Sequence, residues 1–181
     1  MTELLLESLK HYGIKEVTGN LDNPFIVQML SDIDSDVRHD EVSWCSAYMN
    51  YICKKLGYIH TDSLRARSWL TMPIKILKPS LGDIVIFWRN DPKGWEGHVG
   101  LYVSEDKNNI FVLGGNQSDQ VNISAYPKTR VLGYRQTKKE EISKELPPIK
   151  VNIISLWKAW RAIRKFIHQQ HINAGKLFKT K

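Results

Sequence analysis

The sequence has few cysteines and no long apolar run. Only two of its 181 residues are cysteines. Cys45 and Cys53 fall on one predicted helix, where a rise of about 1.5 Å per residue keeps them too far apart for a disulfide. No apolar stretch approaches the roughly 20 residues that a membrane-spanning helix needs. We therefore expect two reduced thiols, as in cytosolic proteins, and no membrane span.

The N-terminal stretch MTELLLESLK lacks the features of a secretory signal peptide. It is acidic where a signal is basic, and its run of leucines is too short for the apolar region of a signal. We expect a protein that is made in the cytoplasm.

Acidic residues are missing from the last part of the chain. The whole sequence carries 26 Lys+Arg and 19 Asp+Glu, a net charge of +7, but residues 151–181 carry seven basic residues and no acidic one. Residues 1–150 are therefore neutral overall. Nucleic-acid-binding proteins usually carry their positive charge on the folded domain. The charge pattern thus predicts no nucleic-acid partner.

Residues 151–181 have the pattern of a basic amphipathic helix. Apolar residues recur there at helical spacing, and basic residues take the opposite side. Such a helix suits an anionic membrane or lipopolysaccharide. The alternative is that its apolar side packs on the domain or on a second copy. The candidate membrane-contact residues are Trp157, Lys158, Trp160, Arg161, Arg164 and Lys165.

The first half of the chain has helical periodicity, and short β-branched and aromatic runs follow from residue 82. One predicted helix begins near Ser43, carries Cys45 and stops at Gly57. The pattern predicts a monomeric α+β protein in which this helix packs on a mainly antiparallel, five-stranded sheet. We assign residues 1–135 to the domain, 136–150 to a linker and 151–181 to the helical tail. The five predicted strands are DIVIFW, HVGLYV, IFVLGG, VNISAY and VLGYR.

Cys45 is the candidate nucleophile. A helix N-terminus lowers the pKa of a thiol through its free N–H groups and positive dipole end. Cys53 lies in the middle of the helix among apolar neighbours, where thiols usually serve as packing. His98 follows Gly97 and opens a strand, so its imidazole can face the end of a neighbouring helix and act as a base. We expect a Cys–His catalytic pair.

Other residues near these motifs are candidates for supporting roles. Asn116 could orient the second nitrogen of the imidazole, or it could simply form a turn after two glycines. Trp44 and Trp69 are expected in the core. Among the candidates for substrate contact, the acidic pair could equally be charges that favour a helix N-terminus. These candidates are Asp40, Glu41, Trp95 and Gln117.

The motifs together resemble the CHAP and NlpC-type peptidoglycan hydrolases, in particular a small group found in phage lysis proteins (endolysins) and bacterial genomes. The resemblance covers most of residues 15–135, and its motifs occur in the order of the family. It is carried by DEVSWCSAYMNYICKKLG (40–57), ARSWL (66–70), GDIVIFWR (82–89), GHVGLYV (97–103), VLGGNQSDQV (112–121) and YPKTRVLGYR (126–135).

The resemblance implies a papain-like fold and a catalytic pair at Cys45 and His98, with no metal or cofactor. The implied reaction is hydrolysis of amide bonds in bacterial peptidoglycan, as an N-acetylmuramoyl-L-alanine amidase or an endopeptidase, once the protein reaches the cell wall. Many CHAP enzymes have a glutamate at the position of Gly114, so only Asn116 is carried over as an orienting residue.

Three alternatives remain open at this stage. The same pair could transfer an acyl group to an amine or lipid hydroxyl instead of water. The chain could be an injected antibacterial toxin with the same chemistry. It could also be a non-catalytic wall-binding or virion module, although such a module needs no reactive thiol.

Overall fold

The computed structural model describes residues 2–17 and 21–140. This part of the chain begins with three α-helices, α1 (Glu3–Leu9), α2 (Pro24–Ser31) and α3 (Cys45–Lys55), and then turns to strands. Short 3-10 helices occupy Ala66–Thr71 and Lys128–Arg130. The strands are β1 (Ile74–Ile76), β2 (Ile84–Trp88), β3 (Gly97–Glu105), β4 (Asn109–Gly114), β5 (Asn122–Pro127) and β6 (Val131–Gln136).

The described strands form a single sheet in the order β1-β6-β2-β3-β4-β5, and every neighbouring pair is antiparallel. Helices that precede an antiparallel sheet, with α3 packed on β3, confirm the predicted α+β class. The predicted number of five strands is wrong, because β1 adds a sixth. β1 lies at the edge of the sheet and has only three residues, Ile-Lys-Ile, which are largely exposed. This segment is too short to be recognised as a strand from the sequence.

Helix α3 begins two residues after Ser43, near which the sequence predicts its start. Trp44 takes the N-cap position, no side chain caps the helix, and Cys45 is the first helical residue. At the other end, Gly57 adopts a φ of 70°. That left-handed conformation is the usual helix stop, so the predicted end is confirmed. Trp44 and Trp69 are fully buried, as expected.

Both faces of the sheet carry buried side chains. Residues that pair across strands point to the same face, and successive residues alternate. Ile86 pairs with Val99, and both belong to the large core that includes α3. Phe87 pairs with His98, and Phe87 belongs to a second, smaller apolar cluster. His98, the second residue of β3, therefore lies on the face of that smaller cluster.

The loop after β4 approaches the start of α3 very closely. A Cβ atom added at Gly115 would lie 2.4 Å from the ring of Trp44 and 2.8 Å from the Cβ of Tyr48. Real Cβ atoms do not come so near a neighbouring ring, so only glycine fits. This contact holds the β4–β5 loop against the residue that precedes Cys45.

The compact unit continues to Glu140, beyond the domain boundary expected at residue 135. Strand β6 includes Gln136, and the Thr137 hydroxyl donates to the Ile59 carbonyl at 2.6 Å. The backbone N–H of Ile59 donates to Lys138, and that of Glu140 donates to Gly57. The proposed linker thus begins no earlier than residue 141. The rest of that linker and the helical tail lie outside the described residues.

Candidate active site

Cys45 lies in a surface groove of about 330 Å³. Its side chain is almost fully buried, at 3% exposure. The groove is bordered by the segment before α3, by the first 3-10 helix and by the hairpin between β2 and β3. Its lining residues are Val42, Ser43, Cys45, Leu64, Arg65, Ala66, Arg89, Trp95, Glu96 and Gly97.

The surroundings of Cys45 act on its thiol in opposite directions. Burial raises the pKa of the Cys45 thiol, because a thiolate loses its hydration there. The positive charge of Arg89 and the backbone N–H groups of Val99, Ser46 and Cys45 itself lower this pKa, but they do not outweigh burial. The expected net lowering of the pKa by the helix N-terminus is therefore wrong for this structure. Cys45 is a neutral thiol at neutral pH.

Cys53 is a second buried thiol, further along α3 and outside the groove. Burial raises its pKa to about 12. A thiol with this pKa is not a nucleophile near neutral pH. Of the two cysteines, only Cys45 borders the groove.

His98 is fully buried and lies in a stack of rings. Its imidazole stacks on the ring of Tyr126 at a centroid distance of 4.7 Å, and Tyr126 stacks in turn on Phe87 at 4.7 Å. Burial, helped by the charge of Arg89, lowers the pKa of His98 to about 3, and a hydrogen bond to the amide oxygen of Gln117 opposes this shift. The imidazole is therefore neutral over the physiological pH range.

The tautomer of His98 follows from the hydrogen bonds of Gln117. The Gln117 side-chain nitrogen donates to the carbonyls of Val112 (3.1 Å) and Asn122 (2.6 Å), so the amide oxygen is the atom that faces His98. This oxygen lies 3.0 Å from Nε2 of His98 and can only accept. The ring proton must therefore be on Nε2, and Nδ1 carries a free lone pair.

Nδ1 of His98 is buried and has no hydrogen-bond partner among the described residues. The Cys45 thiol therefore does not donate to Nδ1 in this structure. Catalytic hydrogen bonds are often unformed until substrate binds. The residue that follows His98 contacts the thiol, because the backbone N–H of Val99 lies against the Cys45 sulfur. The neutral imidazole thus lies one residue along β3 from a contact with the neutral thiol.

The residue that contacts the imidazole is Gln117, and the expectation that Asn116 does so is wrong. Asn116 has a φ of 55°, a left-handed conformation that asparagine tolerates well in turns. It is the turn residue, and the next side chain points inward, where Gln117 is only 2% exposed. Since the amide of Gln117 is used within the protein, its expected role in substrate contact is also wrong.

Asp40 has a structural position and not the expected place in the cleft. It is 1% exposed, and its carboxylate accepts the backbone N–H groups of Val17 (3.1 Å) and Asn23 (2.7 Å). These bonds tie the segments around residues 17 and 23 to the chain before α3. Glu41 is exposed and does not line the groove. Trp95 does line the groove and is 73% exposed, a position that allows contact with a substrate.

Arg65 and Arg89 are groove residues that the sequence motifs did not single out. Arg89 directly follows β2, and Arg65 precedes the first 3-10 helix. A basic residue at a strand end gives no signal by itself, because most such residues are solvated. Their importance appears only when the fold brings both beside Cys45.

Neither metal ligands nor a membrane span were found in the part of the chain that the structure describes. No three His, Cys, Asp or Glu side chains converge there as a metal site would require. No helix in the same residues is long and apolar enough to cross a bilayer.

Comparisons with known proteins give only a distant likeness. No protein-family model matches this chain, and no curated protein is similar to it. Among solved structures, it is similar to a Staphylococcus aureus subsp. aureus Mu50 protein described as similar to lipoprotein, NLP/P60 family. The two are 20% identical with a TM-score of 0.45, over 74% of this chain and 40% of the other. This chain thus spans less than half of that protein. The activity of this chain therefore has to be inferred from its own candidate site.

Proposed function

We propose that this chain is a cysteine-dependent hydrolase of amide bonds in bacterial peptidoglycan, with Cys45 as nucleophile and His98 as base. The observation that supports it most strongly is the Nδ1 atom of His98. Gln117 keeps the proton on Nε2, and Nδ1 remains a buried acceptor without a partner among the described residues, one residue along β3 from the contact of Val99 with the groove-lining thiol. A purely structural histidine would normally have both ring nitrogens satisfied when buried.

In the proposed reaction the resting site contains a thiol and a neutral imidazole. As the sulfur attacks the amide carbonyl carbon, the thiol proton moves to Nδ1 of His98 and the carbonyl electron pair moves to oxygen. The backbone N–H of Cys45 is available to stabilise that oxyanion. The C–N bond then breaks, Nδ1 returns its proton to the leaving nitrogen, and an amine departs from a Cys45 thioester.

Hydrolysis of the thioester restores the enzyme. A water molecule adds to the thioester carbonyl while Nδ1 of His98 accepts its proton. The C–S bond breaks, the sulfur regains that proton from the imidazolium, and a carboxylic acid is released. The net change is one water consumed for each amide converted to an acid and an amine.

The proposed setting is that of a phage endolysin, which is made in the cytoplasm and acts on the wall after release or delivery. The support is the resemblance of most of residues 15–135 to a small group found in phage lysis proteins and bacterial genomes. Production of the protein in a bacterium whose inner membrane has been permeabilised should lyse the cells. The same experiment with Cys45→Ala should not, and equal lysis by both would contradict the proposal.

Digestion of purified peptidoglycan tests the activity directly. The full chain should release new amine and carboxyl groups in equal amounts, and mass spectrometry of the fragments identifies an amidase or an endopeptidase. An acyltransferase would instead give fragments joined to an added amine or alcohol.

The two cysteines provide a matched pair of variants. Cys45→Ala should lose activity by at least roughly 10⁴-fold, since it removes the covalent step. Cys53→Ala should keep its turnover and lose on the order of 1 kcal/mol of stability from the core. Hydrolysis by a folded Cys45→Ala protein at a rate near that of the wild type would refute the mechanism.

A further inference from the structure

The groove beside Cys45 is positively charged. Two guanidinium groups, from Arg65 and Arg89, line it together with a single acidic residue, Glu96. The Glu96 carboxylate already accepts a hydrogen bond from the Asn90 side chain. The net charge of the groove therefore favours an anionic ligand.

Arg89 differs from Arg67 and Arg135 because its guanidinium has no partner in the described part of the chain. Within residues 2–17 and 21–140 this guanidinium makes no hydrogen bond or ion pair, and only the backbone of Arg89 is bonded: its N–H donates to the Glu96 carbonyl and its carbonyl accepts from the N–H of Asp91. Arg67, by contrast, donates to the carbonyls of Asp91, Pro92 and Glu96, and Arg135 donates to Leu70 and Tyr134. Because no described residue pairs with it, the Arg89 guanidinium in this groove is available to an anionic ligand.

Arg89 is also close to the reacting groups. Its charge lowers the pKa of the Cys45 thiol and of the His98 imidazole, and Cys45 lines the same groove. Neither group is an anion in the resting site, so neither neutralises the guanidinium. An anionic group of a bound substrate would do so, a short distance from the bond that Cys45 attacks.

We propose that Arg89, assisted by Arg65, binds a free carboxylate of the substrate next to the scissile amide. This inference rests on the proposed function and specifies its substrate class. Peptidoglycan stems contain glutamyl residues joined through the side-chain carboxyl, so the main-chain carboxyl is left free or is amidated. Guanidinium groups bind carboxylates by paired, charge-assisted hydrogen bonds, which a carboxamide does not form.

The test uses the full chain and two soluble stem-peptide fragments that differ only in carboxylate against carboxamide at this position. The wild type should prefer the free acid by about 10- to 100-fold in kcat/KM, the usual effect of a charged hydrogen bond. Arg89→Gln should lose that preference, mainly through a higher KM for the acid. Arg65→Gln should show the same change to a smaller degree.

Two further variants separate recognition from general charge effects. Arg89→Lys keeps the charge without the paired geometry and should retain part of the preference. Lys107→Gln removes the same charge from the exposed β3–β4 turn, outside the groove, and should leave the preference intact. Equal cleavage of the two fragments by the wild type would overturn the inference. So would an Arg89→Gln variant that keeps the preference for the acid, whatever the change in its kcat.

Binding to the Cys45→Ser variant, measured by NMR titration with each fragment, tests recognition without turnover. If the inference holds, Cys45→Ser binds the acid more tightly than the amide, and the double variant Cys45→Ser/Arg89→Gln binds both equally. Equal binding of acid and amide by Cys45→Ser refutes the inference. A folded wild type that binds the acid selectively but hydrolyses neither fragment refutes the proposed hydrolysis and not the carboxylate site. The two failures are therefore distinguishable.

Discussion

Replacement of His98 by glutamine should change how the stability of the protein depends on pH. The pKa of His98 falls from 6.5 in an unfolded chain to about 3 in the folded protein, mainly because the ring is buried. Above about pH 6.5 the ring is neutral in both states and contributes nothing. Below that pH the unfolded chain binds a proton that the folded protein does not, so the free energy of unfolding falls.

The size of the effect follows from the two pKa values. Each pH unit between them costs about 1.4 kcal/mol, so the loss approaches roughly 5 kcal/mol near pH 3. Between about pH 8 and about pH 5 the wild type should lose about 2 kcal/mol that His98→Gln does not lose. All other titrating groups are common to both proteins, and the difference between their pH slopes therefore isolates His98.

Urea unfolding at several pH values measures these slopes. If His98→Gln does not fold, the C–H resonances of the His98 ring in the wild type should stay unshifted between about pH 8 and about pH 5. Equal slopes in wild type and His98→Gln, or a ring that titrates near 6.5, would refute the neutral thiol–imidazole pair.

Three further predictions concern residues around the site and the tail. Gln117→Ala should lower kcat on peptidoglycan by at least about 100-fold, because nothing then holds the His98 proton on Nε2, whereas Asn116→Ala should keep most of the wild-type kcat. A larger loss of kcat in Asn116→Ala than in Gln117→Ala would restore Asn116 as the orienting residue. Asp40→Ala should reduce the free energy of unfolding by about 1–3 kcal/mol, because two charged hydrogen bonds are lost, and should leave KM unchanged. A raised KM without a loss of stability would indicate that Asp40 contacts the substrate. A chain ending at Leu146 should still digest purified peptidoglycan but should bind anionic vesicles more weakly than the full chain, and binding of the full chain should weaken as the salt concentration rises. Equal vesicle binding by the two chains would exclude the tail as the membrane contact.

The positions of Cys45 and His98 could be predicted because each has a local signal. A cysteine at the start of an apolar helix and a histidine after glycine at the start of a strand are visible without the fold. The protonation states of both residues could not be predicted, because they depend on complete burial by distant parts of the chain. A helix N-terminus favours a thiolate locally, but here the desolvation of Cys45 is the larger effect.

The roles of Asn116 and Gln117 could not be separated from the sequence. Both are amides in one loop, and either could reach an imidazole. The choice depends on the left-handed φ of Asn116, which sends the following side chain inward. The role of Asp40 could not be predicted for a similar reason. The sequence shows only an acidic residue before a helix, and it does not show that the carboxylate accepts backbone N–H groups from a segment about 20 residues away.

The close contact between Gly115 and Trp44 has a consequence for mutational scans of this protein. Any side chain at position 115 would push the indole ring away, and the displacement would reach the adjoining cysteine on one side and the loop of Gln117 on the other. Gly114 is less restricted, since the nearest atoms to an added Cβ, the oxygens of the Gln117 amide and the Val99 carbonyl, would lie 3.3 Å away. A library scored by bacterial lysis should therefore show Gly115 to be as intolerant as the nucleophile itself. Intolerance at Gly115 would mark a residue that takes no part in bond breaking.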